Sequence, residues 1–241
     1  MLSVVIPAYN ESDVIGATLA ALRDALDRED FPYEVVVVDD GSADATASIL
    51  ADLAAGWPRL RAIRNDGPHG YGHAVRRGLA EFRGEAVVVA MADGSDAPGD
   101  LIRYYRAVLD GADCAFGTRF SGGATVENYP RFKLVLNRLG NWLISALVGR
   151  HFEDWTNGFK CFRRWVVERM QPLVGGEFNL TVEMAIKAAQ SGARIAVIPN
   201  DWRQRDAGES KFRTLRLARL YLMTVAYCLL HDRLRRGSAR R

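Results

Sequence analysis

Val35, Val36, Val37 and Val38 stand in an unbroken row and run straight into Asp39, Asp40 and Gly41. β-branched residues at successive positions leave a strand no polar face to turn toward water, so such a strand must be covered on both sides. Short apolar runs recur at 2–7, 33–40, 60–64, 85–91, 114–119 and 194–199, each bounded by turn residues. Between them lie segments of helical period: Val14, Leu19, Leu22 and Leu26 share one helical face, and Ile49 and Leu53 another. Strands alternating with helices predict an α/β fold with a mostly parallel sheet flanked by helices. At 241 residues and 49% hydrophobic composition, the chain has apolar surface enough for such a core. Ser42, and Asn10 or Ser12, stand where the N-caps of the next helices are expected. From about residue 120 the chain reads as loops and helices that elaborate one sheet, with no repeat or linker to divide it.

Several function classes drop out. Cys114, Cys161 and Cys228 are far apart, odd in number and without a C-x-x-C pair, which argues against a disulfide framework or a zinc knuckle and fits a reducing compartment. The N-terminus shows no basic region followed by a long apolar run, so no secretory leader is expected and the work should face the cytosol. No nucleic-acid partner is expected. The net charge of +3 is unevenly spread, because residues 212–241 carry eight arginines against the single acid Asp232.

In an open α/β sheet, ligands bind outside the carboxyl ends of the strands. Those ends hold "PAYNE" (7–11), "DDGSAD" (39–44), "ADGSD" (92–96) and "GTRF" (117–120). Tyr9 offers an aromatic face, and Glu11 and Asp40 offer acids, a set able to hold a nucleobase and ribose; taken on their own, Asp39, Asp40 and Ser42 read first as caps and turn formers. Neither a P-loop nor a G-x-G-x-x-G fingerprint is present. Asp93 and Asp96 supply hard oxygen ligands suited to a divalent cation, or else an Asx-turn and a cap for the following helix. His69 and His73 are spaced for a metal only if both are helical, and Gly70 and Gly72 argue for a loop running into a helix start.

Taken in order, "VVIPAYNES" (4–12), "VVVVDDGSADAT" (35–46), "MADGSDAP" (91–98), "GTRF" (117–120), "VENYPRFK" (126–133), "DWTNGFKCFRR" (154–164) and "GESKF" (208–212) resemble the family 2 glycosyltransferases of the GT-A fold, and within them the dolichyl-phosphate or polyprenyl-phosphate mannosyltransferase type. The resemblance implies a Rossmann-like GT-A domain over 1–211 and inverting transfer of a sugar, mannose from GDP-mannose being favoured, to a polyprenyl or dolichyl phosphate. It implies donor contacts at Pro7, Tyr9, Glu11, Val38 and Asp40, and a metal and diphosphate loop of Asp93, Gly94 and Asp96 with Mg2+ or Mn2+. Phosphate or acceptor contacts fall on Arg119, Lys133, Thr156, Asn157, Arg205 and Lys211, and the catalytic roles on Asp96, Asp154 and Arg119. The family's Asp-x-Asp aligns with Ala92 and Gly94, so the acids are displaced from their usual places.

A sugar hydroxyl acceptor would need a general base, with Asp154 or Glu183 as candidates. A phosphate monoester would not, since its second pKa is ~6 and it is largely ionised at neutral pH. A third possibility is a non-catalytic nucleotide-sugar-binding protein. Residues 212–241 read as an amphipathic basic helix or tail whose uncharged stretch, 220–230, falls short of the ~20 residues a span requires. It would either pack on the core or lie in the interface at the cytoplasmic face of a membrane, arginines toward anionic headgroups.

Overall fold

The structure, a computed structural model, describes residues 1–121, 126–127, 131–200, 202–203 and 214–238. Its first half runs β1 (Leu2–Ala8), α1 (Ile15–Leu26), β2 (Tyr33–Asp39), α2 (Thr46–Gly56), β3 (Leu60–Arg64), α3 (Tyr71–Glu81), β4 (Ala86–Val89), α4 (Pro98–Leu109) and β5 (Cys114–Thr118). There follow β6 (Val126–Glu127), α5 (Arg131–Val148), β7 (Lys160–Arg163), α6 (Arg164–Arg169), α7 (Asn179–Gln190), β8 (Ile195–Pro199), β9 (Trp202–Arg203) and α8 (Thr214–Ser238).

Among the described residues the main sheet has seven strands in the order β3-β2-β1-β4-β7-β5-β8, and β6 pairs with β9 apart from it. Every expected apolar run is a strand, and their pairings are parallel. The valine row explains itself: Val36 and Val38 pack beneath Ala74, Val75 and Leu79 of α3, while Val35 and Val37 pack on the other face with the apolar residues of α1 and Leu50 of α2. The chain steps outward from β1 through β2 to β3, then returns to place β4 on the other side of β1. Strand order therefore reverses at β1 and β4, the position where an α/β sheet opens a crevice for ligands.

Two expectations are corrected. The segment after residue 154, within the part read as loops and helices, contributes β7, which inserts antiparallel between β4 and β5. The N-caps are not side chains of Ser42, Asn10 or Ser12, because α1 and α2 start later, after Val14 and Ala45. Those polar groups instead bind one loop to the other: Asn10 N donates to Ser42 Oγ at 3.0 Å, Ala43 N to Asn10 Oδ1 at 2.8 Å and Ser12 N to Asp44 Oδ2 at 3.1 Å. Asp44 takes the first amide of α2, at Thr46, and the Thr46 hydroxyl is the chief group holding its carboxyl well below the usual range.

α8 packs along α7, burying Thr224, Val225 and Cys228, with Asn179 Nδ2 donating to Thr224 Oγ1 at 2.9 Å. The boundary expected between 211 and 212 lies outside the described residues. Among those residues no helix is long and apolar enough to cross a membrane.

α3 lies close on the sheet because Gly78 has no side chain: a Cβ there would stand 2.4 Å from Val5 Cγ1 and 3.1 Å from Val38 Cγ2. Helix propensity alone would make Gly78→Ala stabilising by about 1 kcal/mol. Overpacking against stiff valines costs about 1–3 kcal/mol and should win. Urea denaturation of Gly78→Ala is expected to show a lower midpoint, and a raised midpoint would contradict this packing.

Candidate active site

The β1 and β2 ends form one side of the crevice. Tyr9 stands 49% exposed on the rim, next to Asn10, which adopts a left-handed φ of 53°. Pro7 and Val38 are buried within their strands. Asp40 is buried too, and its carboxylate ties its own loop to the one between β3 and α3: it accepts from Asn65 Nδ2 at 2.6 Å and Gly70 N at 2.7 Å, and lies 3.3 Å from His69 Nδ1. The His69 ring sits over Gly41, which takes a left-handed φ of 77°, a conformation that favours glycine. Asp39 behaves as a turn former, its Oδ1 accepting from Ser42 N at 3.0 Å.

Opposite Gly70, the loop before α7 closes on the start of α3, with Gly72 N donating to Gly176 O at 3.0 Å. That loop is held by Glu183, which is fully buried and accepts from Val174 N and Gly175 N while pairing with Lys187 Nζ at 2.7 Å. His73 lies in α3 under Gly176, whereas His69 precedes the helix and sits over Gly41, so the two do not share the helical i, i+4 face a metal pair would need.

The acidic loop leaves the end of β4. Asp93 closes an Asx-turn on Ser95 N at 3.0 Å, and Gly94 takes a φ of 70°. Asp96 does not cap α4; its Oδ2 turns back to accept from Met91 N at 2.9 Å. Burial pushes its carboxyl up to about 7, the Met91 amide works against that, and the nearby Asp93 charge adds to it. A carboxylate held in this way is one that a cation would relieve. The donor chemistry fits Mg2+ or Mn2+, since both ligands are hard oxygens. Among the described residues no group of three or more acids, histidines or cysteines converges, so Asp93 and Asp96 would hold the ion together with diphosphate oxygens and water.

On the β5 side, Arg119 forms a two-pronged pair with Asp154, Nε to Oδ2 at 2.7 Å and Nη2 to Oδ1 at 2.9 Å. The pair is deeply placed, its side chains 11% and 0% exposed. Thr156 Oγ1 lies 3.3 Å from Arg119 Nη2 and accepts from Asn137 Nδ2 at 3.0 Å. Asn157 is buried and spends its amide on Gly117 O and Asn200 Oδ1, both at 3.0 Å, which makes it a strut of the loop. Below it the buried Lys160 donates to the carbonyls of Trp155 and Asn157, and burial draws its amine down to about 7.

Arg119, Asp154 and Thr156 therefore come together, whereas Asp93 and Asp96 occupy a separate loop of the same rim. Arg205, Lys211 and the Lys133 side chain lie outside the described residues. Sequence reasoning missed Asn65, Gly70, Asn137 and Lys160. Of these only Asn137 left a trace, as the first of Asn137, Asn141 and Ser145, spaced four apart.

A profile described as Glycosyl transferase family 2 matches residues 3–170. The chain is 32% identical over 214 residues to a polyprenol monophosphomannose synthase of Mycolicibacterium smegmatis, covering 86% of this chain and 79% of that protein. It is 31% identical over 216 residues to a dolichol-phosphate mannosyltransferase of Pyrococcus furiosus, covering 88% of this chain and 59% of that longer protein. Its fold matches glucosyl-3-phosphoglycerate synthase from Mycobacterium tuberculosis, solved with Mn2+, UDP and phosphoglyceric acid, at a TM-score of 0.71 with 18% identity over 95% of this chain and 78% of that one.

Removing one partner of a buried ion pair leaves an uncompensated charge, at a cost of about 3–5 kcal/mol. Arg119→Met is expected to lower stability by that amount in chemical denaturation. The double change Arg119→Met with Asp154→Leu should recover part of the loss. Additive losses would contradict a coupled pair.

Proposed function

The chain belongs to glycosyl transferase family 2, and from that premise we propose that it transfers a mannosyl group from GDP-mannose to a polyprenyl or dolichyl phosphate, with inversion and with Mg2+ or Mn2+. The observation that carries the reading is the state of the carboxylates. Both Asp154 oxygens are bound by Arg119, and Glu183 is fully buried among loop amides and Lys187. Neither stands ready to take a proton from a sugar hydroxyl. A phosphate monoester, already ionised, needs no such base, and what it does need is a cation fixed in place.

In this reading Tyr9, Glu11 and Asp40, with the backbone around Pro7 and Val38, receive the nucleoside. Asp93, Gly94 and Asp96 face the diphosphate, and a metal held there would neutralise the leaving group. Arg119, its plane fixed by Asp154 and Thr156, meets the acceptor phosphate, with Asn157 bracing the loop and Lys133, Arg205 and Lys211 adding positive charge. A phosphate oxygen attacks the anomeric carbon from the face opposite the diphosphate; the new C–O bond forms as the old one breaks, and no proton moves. Bringing two anions to one carbon without cations would be electrostatically prohibitive. The domain would comprise 1–211, working peripherally at the cytoplasmic face of a membrane, with 212–241 as its basic tail. The displaced acids at 93 and 96 support a second reading, a nucleotide-sugar binder without turnover.

Purified full-length protein given GDP-mannose, polyprenyl phosphate, detergent and Mn2+ is expected to form the lipid-linked sugar, and EDTA should abolish it. Asp96→Asn should lower turnover about 10²-fold or more with an unchanged melting temperature. Turnover indifferent to EDTA, or wild-type rates in Asp96→Asn, would contradict the metal role, and no turnover with any nucleotide sugar would favour the binder.

A further inference from the structure

Tyr71, the first residue of α3, stands where three loops of the crevice meet. Its ring lies flat against Phe178, with centroids 4.3 Å apart and planes inclined by 12°, and Phe178 ends the loop that closes on the start of α3. Its hydroxyl reaches the loop that carries Asp154: a Cβ on Gly158 would stand 3.2 Å from Tyr71 Oη. On the side of the acidic loop, Asp96 is near enough for its charge to act on the phenol. Burial raises that phenol well above its usual range and the Asp96 charge raises it further, so the hydroxyl keeps its proton.

The ring packs against the core, but its hydroxyl makes no hydrogen bond among the described residues. Tyr104 shares that lack and differs in place: its hydroxyl is sealed against Gly117 and the residue is 0% exposed, whereas Tyr71 is only partly buried. A phenol fixed by stacking, able both to donate and to accept, and with both capacities unused, is preorganised for a neutral polar group. The charged groups of the reactants have other partners, since the acidic loop suits a metal and diphosphate and Arg119 suits a phosphate. What must lie between those two loops is the sugar that passes from one to the other, and its hydroxyls are the neutral groups that match.

We propose that Tyr71 Oη hydrogen-bonds one hydroxyl of the transferred sugar, so that Tyr71 selects the sugar while the β1 and β2 ends select the nucleotide. The inference rests on the sugar-transfer reading above and names a residue for sugar choice within it. Tyr71 moves no proton in this role. It holds the sugar ring so that the anomeric carbon faces the acceptor phosphate.

The experiment is isothermal titration calorimetry of the full chain with Mn2+, comparing GDP with GDP-mannose in wild type and in Tyr71→Phe. The change deletes one oxygen that bonds nothing within the described fold and keeps the stack on Phe178, so the melting temperature should hold. Tyr71→Phe is expected to bind GDP as wild type does and GDP-mannose about three- to tenfold more weakly. Of donors that each lack one mannose hydroxyl, one should bind wild type more weakly by the same factor and bind Tyr71→Phe no worse than GDP-mannose does, the coupling that a direct pair requires. GDP and GDP-mannose weakened alike would make Tyr71 a structural residue and overturn the proposal, as would a GDP-mannose affinity that the change leaves untouched. Should Tyr71→Phe fail to fold, wild type decides with the deoxy donors: a loss confined to one of them supports the proposal, and equal affinity for all overturns it. Transfer from GDP-mannose at wild-type kcat/KM in Tyr71→Phe would remove this inference and leave the transfer reading. The expected affinity pattern in a protein that transfers nothing to polyprenyl phosphate would leave the inference and remove that reading.

Discussion

β1, β2 and β4 are buried on both faces along their whole lengths, and the remaining architecture follows from that constraint. A strand without a polar face can offer chemistry only where it ends, so the polar residues of this chain gather beyond Ala8, Asp39, Val89 and Thr118. Reversal of strand order at β1 and β4 opens the crevice between those ends. Covering both faces also dictates how closely the helices approach, and Gly78 under α3 is the sharpest mark of it.

At the rim the deciding physics is where negative charge is already compensated. Asp40 is spent on Asn65 and Gly70, Asp154 on Arg119, and Glu183 on two amides and Lys187. Asp96 differs, having one backbone amide and a neighbouring acid, which leaves its carboxyl raised toward neutrality. A proposed metal and diphosphate belong with the carboxylate that burial and Asp93 keep raised against the pull of the Met91 amide and Arg119, and a proposed phosphate acceptor with the arginine already locked in plane. Under this account the displacement of the acids from the family's usual positions moves the ligand set along the loop without changing its chemistry.

Much of this was legible in the residues themselves. Apolar runs located the parallel strands, and the polar clusters at their ends located the rim. β7 escaped because its four residues, Lys160 to Arg163, include a lysine that is buried by donating to two carbonyls, and nothing in "KCFR" advertises that arrangement. Ser42 and Asn10 were read as helix caps because their type suits caps, whereas the chain uses them to tie two loops together across 32 and 33 residues, a pairing no local pattern encodes. α5 shows the same limit from the other side. Its apolar stripe, with Val135, Leu139 and Trp142, is visible in the sequence, but a stripe does not say whether core or solvent lies beyond it.

The central claim is that the site is built to position an acceptor that is already an anion. Initial rates of sugar transfer from GDP-mannose, measured side by side with a polyprenyl phosphate and with the polyprenol of the same chain length, test it most directly. The account predicts product with the phosphate and none above background with the alcohol. Transfer to the free alcohol at a comparable rate would require a general base among the carboxylates and would contradict it.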